Sequence, residues 1–198
     1  IGVTGVQTCA LPIYTYSEEE LTLFDKRVRE GLEFEHFQYV AELKIDGVAV
    51  SLRYEDGVLV QAATRGDGIT GDDITRNIRT IKSIPLTVDV RSLHPALQRS
   101  FEVRGEVYMN NDDFIALNEE RREQGEKLYA NPRNTTAGTL KLLDAREVAR
   151  RPLRMIAYFL SCDVVQQESP AVLHSQYENN SLLTNMGFVT GKEVRLCH

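Results

Sequence analysis

The chain has 198 residues, 42% of them apolar and 26% charged, and a formal net charge of −6; this is an ordinary composition for one sizeable globular domain with its own core. The acidic balance argues against a dedicated nucleic-acid-coating surface, while leaving room for a local basic groove. No run approaches the roughly 20 apolar residues that span a bilayer, the start lacks a basic signal segment, and Cys9, Cys162 and Cys197 stand in no metal-ligand spacing, so a cytoplasmic protein with reduced thiols and no membrane contact is expected.

Residues 1–13 carry no period and are expected to be a disordered or foreign leader. The next stretch, Ser17-Glu18-Glu19-Glu20, is a capping-box pattern. Leu21, Phe24, Val28 and Leu32 follow at helical spacing, with Gly31 as a stop. Residues 37–45 read as a strand with Glu42, Lys44 and Asp46 on one face and Leu43 and Ile45 on the other. After Gly47 the parity flips, and Val48, Val50 and Leu52 take the buried side. Such a flip demands a bulge or bend at the Asp46-Gly47 step.

A Glu55-Asp56-Gly57 turn joins that strand to a partner over 58–65, a strong hairpin signal. The glycine-rich loop from Arg65 to Asp73 leads to a helix over 74–81, with Asp72 or Asp73 as its cap. An extended run over 86–90, a loop with His94 and Pro95, and a strand over 101–109 follow. A helix over 112–124 turns Phe114, Ile115 and Leu117 inward and stops at Gly125. Residues 129–134 read as a polar, proline-broken connection, 135–143 as a short helix and 153–163 as a buried strand. A helix over 174–186, stopped by Gly187, and a strand starting over 188–196 close the chain. Helices and strands mix without strict alternation, so the expected class is α+β with largely antiparallel sheets flanked by helices.

Four places can carry chemistry. Lys44 sits just before the bend, between two carboxylates. An amine attacks only when neutral, and an ordinary lysine is neutral in roughly one molecule in a thousand at pH 7. On these residues alone, a surface salt-bridge ladder is the simpler reading. In the glycine loop Arg65 is the preferred ligand contact and the loop its scaffold, because Asp67, Asp72 and Asp73 would repel a phosphate placed directly there. Glu106, beside a glycine in a strand, suits a ribose hydroxyl or a metal, or else a cross-strand ion pair. Arg133 in Asn131-Pro132-Arg133-Asn134 and Lys141 one short helix later offer two cations for phosphates, or a solvated face. His36, His94, His174 and His198 form no ligand spacing.

The order of these motifs is specific. Glu42-Leu43-Lys44-Ile45-Asp46-Gly47, Thr64-Arg65-Gly66-Asp67-Gly68 with Gly71-Asp72-Asp73, Val103-Arg104-Gly105-Glu106-Val107 and Asn131-Pro132-Arg133-Asn134 closely resemble the adenylation domain of bacterial NAD-dependent DNA ligases over 14–198. The resemblance implies an ATP-grasp-like nucleotidyltransferase fold and NAD as cofactor. Lys44 would be the nucleophile that takes AMP, with Asp46 as its support. By the same resemblance Glu42, Arg65 and Glu106 contact the nucleotide, and Arg133 and Lys141 contact phosphate or DNA. It further implies magnesium assistance, nicked double-stranded DNA as the partner in replication and repair, and a monomer.

Lys141 stands where many relatives carry arginine, keeping the charge but losing the bidentate fork. The family's nicotinamide mononucleotide-reading domain, its later lysine motifs and its zinc-bearing module are expected outside this chain, and the isolated piece is expected not to ligate. Two other readings stand beside this one: an ATP-using relative such as an RNA ligase or capping enzyme, and a non-catalytic nucleotide- or DNA-binding module.

Overall fold

A computed structural model describes residues 16–32, 37–65, 71–162 and 175–197. The leader over 1–13, most of the glycine loop (66–70), His36, His174 and His198 lie outside them. Four antiparallel strands make the main sheet, in the order β3 (Val58–Thr64), β2 (Val48–Glu55), β4 (Ser100–Met109) and β5 (Leu153–Ser161). Two short antiparallel strands, β1 (Tyr39–Ala41) and β6 (Arg195–Cys197), pair separately. With the helices around them, they give the α+β class expected from the sequence.

Side-chain parity decides which face of the main sheet is dry. Leu52 and Tyr54 of β2 pair with Val103 and Phe101 of β4, Val50 pairs with Gly105, and Val50, Leu52, Tyr54, Val103 and Phe101 are all buried. Tyr54 stacks on Phe101 with ring centroids 4.8 Å apart, and Phe188 closes on it edge-first at 5.7 Å, a geometry that adds to simple burial. Asp56 and Gly57 both have positive φ, at 47° and 78°, as a two-residue hairpin turn that follows the strand twist requires.

The helices are α1 (Glu18–Gly31), α2 (Thr75–Ile78), α3 (Pro95–Arg99), α4 (Asn111–Glu123), α5 (Pro132–Leu140), α6 (Ala145–Ala149) and α7 (Gln176–Asn185). The Ser17 hydroxyl caps α1, accepting from the Glu20 amide at 3.2 Å. Asp73 starts α2 by accepting from both the amide and the hydroxyl of Thr75.

Several expectations need correction. Residues 42–46 are not strand: β1 ends at Ala41 and β2 begins at Val48, and Leu43 is 65% exposed rather than facing a core. The expected helix over 74–81 shrinks to Thr75–Ile78 and ends in turns. The run over 86–90 contributes one bridge, Thr87 to Val58, and the one over 188–196 contributes a bridge at Thr190 and then β6. Ile115 is exposed, while Phe114 and Leu117 pack against the core. The helix expected over 135–143 starts earlier: Asn131 is its N-cap, accepting from the Asn134 amide at 2.8 Å, with Pro132 in the first turn. Proline fits there because that N–H would have no helical partner anyway. Helices α3 and α6 had no counterpart in the sequence reading.

Candidate active site

The open face of the sheet carries the charged positions, and at one end they meet. Ala49 of β2, Glu106 of β4 and Ile156 of β5 lie in register. Between Arg104 and Gly105 the β4–β5 register shifts, because Arg104 faces Phe159 and Gly105 faces Ala157. Tyr158 is the extra residue, and bulges of this kind re-aim side chains beside sites. It lines the cleft with Glu106 and Ile156.

Residues 42–47 cross this end of the sheet held by side chains instead of a ladder. At the start, Asn180 and Gln176 of α7 donate to the Glu42 carboxylate, Gln176 at 3.5 Å. At the far end, Arg133 Nη1 reaches Asp46 Oδ1 at 3.1 Å, and Gly47 lies tight against Glu106 and Val107 of β4. A Cβ on Gly47 would collide with the Val107 carbonyl oxygen, so the close approach itself requires glycine. Lys44 sits between these anchors, exposed, and among the described residues it makes no salt bridge.

The other cations are held from three sides. The Arg65 N–H donates to the Ala49 carbonyl at 3.2 Å, extending the β2–β3 pairing to the rim. Arg133 leaves the first turn of α5, and Lys141 ends that helix with its ammonium 2.8 Å from Asp72 Oδ2. Together they enclose a cleft of about 750 Å³ lined by four cations (Lys44, Arg65, Arg133, Lys141) and three carboxylates (Glu42, Glu106, Asp72). Of the seven residues singled out from the sequence, six line it, and Asp46 is tied to it through Arg133.

Burial raises the Glu106 carboxyl above its ordinary range, against the Gly47 N–H, Lys44 and Arg133, which lower it. Burial also raises the Tyr158 phenol, and the neighbouring Glu106 adds to the effect. A half-buried carboxylate, an aromatic ring and several cations around an exposed amine can bind a nucleotide: a base to pack, hydroxyls for the carboxylate and phosphates for the cations.

Residues 13–198 match the family described as the NAD-dependent DNA ligase adenylation domain. The chain belongs to that family. Among curated relatives, a DNA ligase of Chlorobium phaeobacteroides is 51% identical over 188 residues, covering 92% of this chain and 27% of the relative. A DNA ligase of Petrotoga mobilis is 54% identical over 146 residues, covering 74% of this chain and 21% of the relative. A DNA ligase of Thermotoga maritima is 46% identical over 183 residues, covering 92% and 25%. The chain therefore spans about a quarter of the length of the curated relatives it matches.

Sequence reasoning missed Tyr158, which lines the cleft, and Gln176 and Asn180, which hold Glu42. Asn180 did leave a signal. Asn179 and Asn180 are buried on the helix that also buries Leu183, and an amide pair beside an apolar helix position needs partners.

Proposed function

We propose that this chain carries the adenylate-accepting site of an NAD-dependent DNA ligase, on an ATP-grasp-like nucleotidyltransferase fold. The observation that carries the reading is the exposed Lys44 amine, without a salt bridge among the described residues and suspended between Glu42 and Asp46 over a cleft with three further cations. In its neutral form the Lys44 Nζ attacks the α-phosphorus of NAD. A P–N bond forms, the P–O bond to nicotinamide mononucleotide breaks, and the amine loses a proton. The AMP then passes to the 5′-phosphate of a nick, and the 3′-hydroxyl displaces it.

The protein's part in such a step is in-line positioning and neutralisation of phosphate charge. Arg65, Arg133 and Lys141 supply cations for the phosphates. Glu42 and Glu106 accept from base or ribose groups, Tyr158 offers a ring for the base, and Asp46 holds Arg133 beside the nucleophile. Among the described residues no three His, Cys, Asp or Glu side chains converge, so those residues do not fit a resident metal. Magnesium belongs to the reading as a companion of the substrate phosphates.

We assign the parent protein to nicked duplex DNA, as a monomer, in replication and repair, with the rest of the molecule supplying much of the DNA grip. We place it in the cytoplasm by the same family reading; no helix among the described residues is long and apolar enough to cross a membrane. The test places this chain in the Chlorobium phaeobacteroides DNA ligase in exchange for the matching segment. That hybrid is expected to seal nicks with NAD and not with ATP, and to lose sealing on Lys44→Ala, while the 198-residue chain alone seals none. Sealing with ATP, or sealing that survives Lys44→Ala, overturns the reading.

A further inference from the structure

The Asp72–Lys141 ion pair is a partition between two hollows. Both side chains line the active-site cleft, and both also line a second cavity of about 610 Å³. Asn77 lines only the second, so it does not reach a ligand in the first. Its side chain is buried, and its Nδ2 donates to the Leu140 carbonyl at 2.7 Å and the Leu142 carbonyl at 2.8 Å. These carbonyls belong to the residues on either side of Lys141, where α5 ends and its acceptors run out of helical partners. Both amide hydrogens of one buried side chain are thus used on a single backbone turn.

Lys141 is held at its tip as well. Asp72 pairs with its ammonium at 2.8 Å, and Asp72 is itself fixed to Thr64 by two hydrogen bonds of 3.0 Å. A lysine stem is flexible, so its charge is well placed only if the backbone beneath it is. A ligand phosphate entering the cleft competes with Asp72 for the ammonium, and at that moment the Asn77 clamp, together with the Lys141 and Leu142 amides bonded to Gly138 and Thr139, fixes where Lys141 starts from.

We infer that Asn77 is a positioning residue for Lys141, clamping the turn around that lysine so that its ammonium meets a phosphate in the cleft. This rests on the proposed role of Lys141 as an anion contact. The test is a double-mutant cycle on the 198-residue chain, with inorganic pyrophosphate as probe and affinity read from amide chemical shifts at the cleft. Thermal unfolding is followed in parallel. Asn77→Ala and Lys141→Ala are each expected to weaken binding about three- to tenfold. The double variant is expected to bind no more weakly than Lys141→Ala, although Asn77→Ala lowers the melting temperature in both backgrounds. Asn77→Ser, which keeps one donor, is expected to recover part of the affinity, and it carries the same cycle if the alanine variant does not fold.

Equal weakening by the Asn77 change in both backgrounds would mean general loosening, and it overturns the inference; so does unchanged affinity in the parent background. No saturable binding by the parent, or no effect of Lys141→Ala alone, overturns the reading of Lys141 and the inference with it.

Discussion

Gly47→Ala tests the geometry beside the nucleophile with a single methyl group. The added Cβ would lie well inside 3.0 Å of the Val107 carbonyl oxygen, and 3.0 Å from Glu106 Cγ. Val107 is fully buried and pairs with Val48 at the first step of the β2–β4 ladder, so its carbonyl has little freedom to retreat. Restoring an ordinary contact requires a shift of roughly 1 Å, and overpacking of this kind costs about 1–3 kcal/mol. For a domain of this size, a loss of about 1–3 kcal/mol lowers the melting temperature by roughly 2–12 °C. The control is Gly138→Ala in α5, where a Cβ meets nothing within 4 Å; there alanine is expected to add about 0.5–1 kcal/mol through helix propensity. Two thermal melts under identical conditions decide it. A Gly47→Ala variant within about 0.5 kcal/mol of the parent would refute the close-approach argument.

Two further outcomes follow from the same structure. Burial raises the Glu106 carboxyl, so the folded state holds that proton more tightly than the unfolded chain. Its ionisation therefore costs stability as pH rises from the ordinary carboxylate value to the raised one, and the cost persists above it. Glu106→Gln removes the charge at nearly constant shape and is expected to melt higher than the parent at pH 7, the gap closing on acidification; a gap that widens towards low pH would contradict this. Asn131→Ala removes the α5 cap and is expected to cost about 1 kcal/mol in urea unfolding, while Asn131→Ser costs less. An unchanged midpoint for the alanine variant would show that the cap contributes nothing.

What the residues revealed in advance depended on whether the interaction was local. The buried parity of Val50, Leu52 and Tyr54 and the turn at Asp56-Gly57 are period-two and dipeptide signals, and both are present in the fold. The alternation of Glu42, Lys44 and Asp46 misled because it is an alternation of charge without burial. That segment is held by partners such as Asn180, 138 positions away, and contacts at that separation leave no local period. Pro132 read as a breaker because its place at the first turn of α5 depends on Asn131 acting as cap. Ile115 faces solvent although its spacing allowed the inward face. At the site, the charged residues on separate strands and helices were identified one by one, and the order of their motifs supplied the family. Tyr158 was not found, because only the register shift between β4 and β5 makes it the extra residue in that pairing.

The central claim is that Lys44 takes the adenylate. The most direct measurement is peptide mapping by mass spectrometry of the hybrid ligase after exposure to NAD and before any DNA is added. One AMP is expected on the peptide containing Lys44, absent after Lys44→Ala and discharged when nicked duplex is supplied. AMP on Lys141 or any other residue, or undiminished labelling of the Lys44→Ala protein, would contradict it.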